Sequence, residues 1–430
     1  MADPNLPCLT RDLPGVGGAI KQRPADFFVQ ELPLYEPSGS GEHVYAEIQK
    51  VGLTTFDAIN RIADALRISS RDIGYAGLKD ARAITRQVVS TPGTTEQALM
   101  DLRLPGIDVQ WAARHGNKLR IGHLRGNRFA IKIRDVNPTD VVKLGPAIEV
   151  LKSRGMPNYF GEQRFGRRND NDKLGATLIR GRPEELLHLL LGAPDPALDD
   201  PATVQARTLF DEGKLEDSMH HWPRRHGLER RILARVIKTG RPGAAVKAVD
   251  QKLRRLWVSA LQSKLFNEVV AQRIDTLDKL FVGDLAYIHN HGAVFRVEDA
   301  AAEQPRADRF EISPTGPLVG YRMTLPSGEP LRFEEEVFKS HGLTPGHFRQ
   351  EGRDRATGAR RPLRVQPEDV QLAAGVDEHG AHITVAFTLP AGSYATVLLR
   401  ELMKSDVDRT EVDSTTATAE PEAPEPVEPQ

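Results

Sequence analysis

Gly74-Tyr75-Ala76-Gly77-Leu78-Lys79-Asp80-Ala81-Arg82-Ala83-Ile84-Thr85-Arg86-Gln87 is the most distinctive stretch of this 430-residue chain. Glycines at 74 and 77 permit a tight backbone path, since a residue without Cβ turns at little steric cost. Asp80 then stands among Lys79, Arg82 and Arg86, whose positive charges favour its ionised form. Taken alone, an aspartate in a glycine-containing loop is commonly a turn former or a cap.

Outward from this stretch the pattern is mixed α and β. Residues 25–31 and 42–50 carry the alternating, β-branched runs of strands, and Pro37-Ser38-Gly39-Ser40-Gly41 between them predicts a hairpin turn. Thr54 caps a helix whose apolar residues Ala58, Ile59, Ile62, Ala63 and Leu66 recur at helical spacing. Residues 128–133 read as a strand and 141–153 as a helix. From about Pro157 the sequence turns helical and arginine-rich, and residues 256–274 set Leu261, Leu265, Val269 and Val270 on one side of an amphipathic helix. A strand pattern returns at 382–389, followed by Pro390-Ala391-Gly392-Ser393 and a short helix ending near Lys404.

The chain has 58 Lys and Arg against 59 Asp and Glu, a near-neutral balance that argues against nucleic acid as a partner. That average hides two opposite regions. Residues 405–430 hold eight acids and one base, have no aromatic residue, and lack the apolar content to offset the entropy of ordering. The remaining 404 residues therefore carry +6, and between His220 and Leu256 eleven bases face two acids. Cys8 is the single cysteine, which rules out an internal disulfide and fits a reducing compartment. With no basic-plus-apolar leader and no apolar run near 20 residues, a cytoplasmic protein without membrane attachment is expected. The sequence offers no P-loop, dinucleotide fingerprint, Cys/His zinc pattern or HExxH helix. Around His289-Asn290-His291, Ala286-Tyr287-Ile288 and Gly292 read as a strand and turn and no Cys is available, so neither metal nor cofactor is expected.

The stretch around Asp80 resembles the catalytic motif of the TruD family of tRNA pseudouridine synthases. The resemblance extends to Lys21 with Arg23-Pro24-Ala25-Asp26-Phe27-Phe28-Val29, Gly41-Glu42-His43, Gly52-Leu53-Thr54-Thr55 and Gly126-Asn127-Arg128-Phe129. It continues through Asn158-Tyr159-Phe160-Gly161-Glu162-Gln163-Arg164-Phe165-Gly166, Ile312-Ser313-Pro314-Thr315-Gly316-Pro317 and Leu389-Pro390-Ala391-Gly392-Ser393-Tyr394-Ala395-Thr396.

The resemblance implies an α+β fold: a pseudouridine-synthase core with a mixed, largely antiparallel β-sheet and flanking helices, interrupted by a TRUD insertion domain. In this sequence the core would comprise residues 1–156 and 362–404, the insertion 157–361, and an acidic disordered tail 405–430. It implies tRNA as the partner, specifically uridine 13 of the D arm, and a cofactor-free isomerisation. Asp80 takes the place of the family's catalytic aspartate and Lys21 that of its cationic partner. Phe27, Asn127, Phe129 and Tyr394 would meet the extruded base; Tyr394 departs from the phenylalanine of some relatives, and Phe129 is equally read as packing behind the pocket. The basic run 220–256 and Arg154, Arg164, Arg167 and Arg168 would contact phosphates. No protein partner is implied and the oligomeric state is left open. Two rivals stand beside this reading: an RNA-binding protein in which Asp80 is structural, and a methyltransferase, which would need a cofactor fingerprint the sequence lacks.

Overall fold

The computed structural model describes residues 6–349 and 355–405. The chain opens with β1 (Phe27–Pro33), β2 (His43–Val51), α1 (Thr55–Leu66), β3 (Gly74–Tyr75), β4 (Ile84–Pro92), α2 (Glu96–Met100), β5 (Ile107–His115), β6 (Leu124–Arg134), α3 (Gly145–Arg154) and β7 (Met156–Pro157). There follow α4 (Asn171–Ile179), α5 (Pro183–Leu191), α6 (Pro201–Asp211), α7 (Leu215–His221), α8 (Gly227–Thr239), α9 (Pro242–Lys247) and α10 (Gln251–Gln272). Next come β8 (Leu285–Ile288), β9 (Val294–Arg296), α11 (Ala300–Asp308), β10 (Ile312–Leu318), α12 (Glu329–Ser340) and β11 (Ala359–Pro362). The last elements are β12 (Arg364–Val365), β13 (Glu368–Asp377), β14 (Gly380–Pro390) and α13 (Ala395–Met403). Residues 1–158 and 364–430 group into one compact unit and 159–363 into another. The acidic stretch 406–430 lies outside the described residues.

The first unit is built on an eight-stranded sheet in the order β13-β14-β6-β1-β4-β2-β5, with β3 paired to β4. Every ladder is antiparallel except β1 with β4. The fold is thus α+β with a mixed, mostly antiparallel sheet. The predicted hairpin is corrected: β1 and β2 do not pair, because β4 lies between them. β4 is buried along most of its length, as a strand flanked on both sides is. The alternation of 25–31 and 42–50 marks strands but contains nothing that selects a neighbour.

Helix α1 begins as read. Thr54 and Asp57 form a reciprocal capping box, and Ala58, Ile59, Ile62 and Ala63 are buried against Val44, Ala46 and Ile48 of β2. Burying a large aliphatic side chain of this kind contributes roughly 1.5–3 kcal/mol. The helix expected from 141 starts instead at Gly145, after a 3-10 segment over Pro138–Leu144, with Pro146 in its first turn.

In the second unit, α10 is not one-sided. Trp257, Val258, Ala260, Leu261, Leu265, Phe266, Val269 and Val270 are all buried, and α4, α12 and β10 pack around the helix. Nor does β structure wait until residue 382, since β11, β10, β8 and β9 form a four-stranded sheet here. Of these only β8, read at 286–288, was legible in the sequence; β9 and β11 run only three or four residues.

Candidate active site

One face of the large sheet carries a row of side chains across five strands. Registered partners run Lys50 (β2), Thr85 (β4), Val29 (β1), Phe129 (β6) and Phe387 (β14). Period-two alternation puts Ile48, Gln87, Glu31, Asn127 and Leu389 on the same face. Lys50, Thr85, Gln87 and Glu31 are almost wholly buried, an unusual polar content for a sheet interior. Partners explain three of them, for Lys50, Gln87 and Glu31 hold the loop that carries Asp80, whereas the Thr85 hydroxyl has no hydrogen-bond partner among the described residues.

That loop leaves the sheet where two strands part. β4 is paired on one side by β2 throughout; on the other, β1 accompanies Ile84–Arg86 and β3 accompanies Val89 and Ser90. At the seam, the Val88 amide donates to Glu31 Oε1 at 3.3 Å. Gly74 is required here, because a Cβ would come within 2.3 Å of the Leu119 carbonyl oxygen. Gly77 has no such crowding and no positive φ, so the tight path predicted at both glycines exists at the first only.

Asp80 is fixed through its backbone and its carboxylate. The Lys50 ammonium donates to the carbonyls of Leu53 (2.6 Å), Lys79 (3.3 Å) and Asp80 (3.0 Å), tying the β2–α1 turn to the loop. The Lys79 amide donates to Thr55 Oγ1 at 2.9 Å, and that hydroxyl donates to Gln87 Oε1. At the carboxylate, Lys21 Nζ lies 2.6 Å from Oδ2, and the Arg82 amide donates to Oδ1 at 2.9 Å. Burial pushes the Asp80 carboxyl up, but the Lys21 charge and hydrogen bond, the Arg82 amide and Lys50 outweigh it and hold the group below the ordinary carboxylate range. With 31 % of its side chain exposed, the carboxylate is ionised and reachable. Burial pulls Lys50 down to about 8, with Asp80 opposing the shift, Lys79 adding to it and Asp57 opposing it.

The charges expected to surround Asp80 divide differently. Lys79 turns its ammonium to Glu31 Oε2 (2.9 Å) and Asn127 Oδ1 (2.8 Å). Arg86 points to the opposite sheet face, donating to Gln49 and lying over the Phe28 ring, because strand alternation sends it there. Arg82 reaches the carboxylate through its backbone amide.

Lys21 attains its position through an uncommon backbone. Its φ of 57° is left-handed, at a cost of roughly 1–2 kcal/mol for a residue with a Cβ. The turn is locked on both sides: Ala19 and Arg134 exchange backbone hydrogen bonds, and Asp26, fully buried, accepts from the Arg134 guanidinium at 2.5 and 3.0 Å. The ammonium lies 4.6 Å from the Phe27 ring centroid. Phe27 meets Phe129 edge-on at 6.5 Å, and Phe129 stacks on Phe387 at 5.2 Å.

Lys21, Phe27, Asp80 and Phe129 are thus joined by a chain of direct contacts, and Asn127 meets the Asp80 loop through the ammonium of the neighbouring Lys79. Tyr394 stands half-buried at the start of α13, just past the β14 end where Leu389 and Pro390 pair with Asn127 and Gly126. Among the described residues no group of three or more His, Cys, Asp and Glu side chains is placed to hold a metal ion, and His289 Nε2 is within 2.9 Å of Ser313 Oγ. No helix among those residues is long and apolar enough to cross a membrane.

Comparison with known proteins gives first the class and then the family. A solved structure named tRNA pseudouridine synthase D (TruD), from Methanosarcina mazei, matches with a TM-score of 0.83 and 27% identity, over 94% of this chain and 97% of that one. The fold is therefore that of a pseudouridine synthase. The family model "tRNA pseudouridine synthase D (TruD)" matches residues 4–402. The tRNA pseudouridine synthase D of Geotalea daltonii is 45% identical over 402 residues, covering 93% of this chain and 100% of that one. That of Geobacter metallireducens is 46% identical over 399 residues, covering 92% and 97%. The chain belongs to the tRNA pseudouridine synthase D family, isomerases that convert uridine to pseudouridine in tRNA.

Proposed function

We propose that this enzyme isomerises uridine 13 in the D arm of tRNA, with Asp80 as nucleophile on a base flipped out of the RNA. The observation that carries the reading is the Lys21–Asp80 pair: a carboxylate kept ionised at 2.6 Å from an ammonium, yet open to solvent on one side. Attack by such a carboxylate splits one difficult step into two. The N1–C1′ bond breaks, the C5–C1′ bond forms, and the proton lost from C5 balances the one gained at N1. No external reactant enters, and no cofactor is needed. Phe27 and Tyr394 receive the extruded base, Phe129 backs Phe27, and Asn127 hydrogen-bonds the uracil edge. Each base–aromatic contact offsets roughly 1–3 kcal/mol of lost stacking. The choice of position 13 rests on the family resemblance.

In this reading residues 1–156 and 362–404 form the catalytic core and 157–361 the TRUD insertion, which docks tRNA phosphates. Supporting that role, Arg224, Arg231, Arg235, Lys238, Arg241, Lys247, Lys252 and Arg255 are solvent-exposed. A cavity of about 590 Å³ nearby is lined by His220, His221, Arg224 and Arg225. Arg154, Arg164, Arg167 and Arg168 contribute less, since Arg164 is committed to Ser259 and Ser263, and Arg168 to Asp170 and Asp199. A cytoplasmic location follows from tRNA as substrate.

The test is Asp80→Ala and Asp80→Asn assayed on tRNA transcripts with chemical mapping of pseudouridine. Both variants should bind tRNA as the parent does and make no product, and the parent's product should sit at position 13. Product formation by Asp80→Ala at the parent rate would remove Asp80 from the chemistry, and product at another position would reassign the target.

A further inference from the structure

Asn127 has a two-faced carboxamide: its oxygen accepts hydrogen bonds and its NH₂ donates them. The hydrogen-bond partner distinguishes the two ends. Lys79 Nζ lies 2.8 Å from the Asn127 side chain, and an ammonium can only donate. The atom facing Lys79 is therefore the oxygen, and the NH₂ is directed away from it.

The ammonium is itself held. Its other partner is Glu31 Oε2 at 2.9 Å, and the two side chains are 6 % and 1 % exposed. Glu31 is the register partner of Asn127 on the neighbouring strand, so the pair and the amide share one sheet face. Glu31 in turn is anchored by the Val88 amide at the seam from which the Asp80 loop departs. Removing one partner from a buried pair is strongly unfavourable, so Lys79 stays in place.

We infer that Lys79 and Glu31 are positioning residues that fix Asn127 as a hydrogen-bond donor toward a carbonyl oxygen of the target uracil. This rests on the reading of Asn127 as a base contact and adds its polarity. Uracil presents acceptors at O2 and O4, whereas cytosine carries an amino donor in place of O4. A donor locked onto O4 would reject cytidine and accept uridine; a donor onto O2 would orient the base without discriminating between them.

The experiment measures single-turnover rates on tRNA carrying uridine, 2-thiouridine or 4-thiouridine at the target position, since sulfur is the weaker acceptor. The parent enzyme should lose about five- to tenfold with one of the two thio bases, as expected for one hydrogen bond, and the sensitive position identifies the carbonyl. Lys79→Arg, another donor-only side chain, should keep that sensitivity. Lys79→Met should be slower on uridine and nearly indifferent to the same sulfur. Because Lys79→Met leaves Glu31 buried without its partner and can fail to fold, Asn127→Asp supplies an independent arm: it keeps the shape and a partner for Lys79 but offers no donor. It should lose as much as Asn127→Ala.

Asn127→Asp at the parent rate, or Lys79→Met with undiminished thio sensitivity, would overturn the assigned polarity while leaving Asn127 as a base contact. Indifference of the parent to both sulfurs, together with an unaffected Asn127→Ala, would overturn the base contact itself and the inference with it.

Discussion

Lysine and arginine do opposite things beneath the Asp80 loop and on the exposed face of α8. Beneath the Asp80 loop, Lys21, Lys50 and Lys79 are each buried or nearly so and each has named acceptors at hydrogen-bonding distance. On α8 of the second unit, Arg231, Arg235 and Lys238 are exposed, and their side chains make no ion pair or hydrogen bond among the described residues. The difference separates geometry from affinity. A buried cation is costly and persists only where its position is over-determined, so its removal disturbs the atoms around it. An exposed cation is screened by salt and contributes affinity without setting any distance.

The largest effect should come from Lys21, the cation that touches the Asp80 carboxylate. Lys21→Met leaves a carboxylate only 31 % exposed without its counter-charge, and turnover should fall about a hundredfold, somewhat less than the loss of one partner of a fully buried pair. The acid limb of the rate should move as well. A carboxyl whose folded-state pKa is depressed contributes stability and ionisation above its unfolded value of about 3.9 and loses them as pH falls through the folded value. Without Lys21, burial is the dominant influence on Asp80, so the acid limb should shift to higher pH. A limb that stays put would mean that Lys21 is not what keeps Asp80 ionised.

A smaller effect, of about tenfold, is expected for Lys50→Met, because Lys50 touches the Asp80 backbone and not its carboxylate. Here pH separates positioning from simple stability. Lys50 is lowered to about 8, so below that pH it donates three hydrogens to three carbonyls, and above it one is withdrawn. The charged groups facing it are Asp80, Lys79 and Asp57. For folding, stability rises with pH as it does for Asp80, but in an alkaline window: the penalty of burying the ammonium is complete below about 8 and is relieved as pH rises toward about 10.4, the unfolded value. A fall in single-turnover rate near pH 8, without a parallel fall in melting temperature and absent in Lys50→Met, therefore reports the loop. An alkaline limb unchanged by the substitution would place its origin elsewhere.

These buried cations were the least legible part of the sequence, although a signal was present. Val44, Ala46, Ile48 and Lys50 alternate on one strand face, as do Phe27, Val29 and Glu31; a charge that continues an apolar alternation is a charge directed into the core. The motif around Asp80 and its resemblance to a family brought Lys21, Asp80 and Asn127 together across more than a hundred residues, and the Thr54 cap placed α1 from purely local cues. Strand order was not local. The hairpin expected between β1 and β2 failed because β4, whose first four residues lie within the quoted stretch, competes for both partners. Near-neutral net charge likewise concealed the basic face, because the acidic stretch after residue 404 cancels it in the sum.

The gentlest prediction tests the exposed side of the comparison. Arg231, Arg235 and Lys238 are spaced i, i+4, i+7 and cover about 10 Å along α8 at 1.5 Å per residue, while Ile232 and Leu233 anchor the helix on its buried side. Each phosphate contact releases condensed counterions and steepens the fall of log affinity with log salt by roughly 0.7–0.9. Replacing all three residues by Gln should therefore reduce the salt slope of tRNA binding by about two to three and raise KM at moderate salt. The rate at saturating tRNA should not change, since none of the three belongs to the set of residues that hold the Asp80 loop. Were the saturating rate to fall with the salt slope intact, α8 would be setting geometry as the buried lysines do, and the division between the two kinds of cation would not hold.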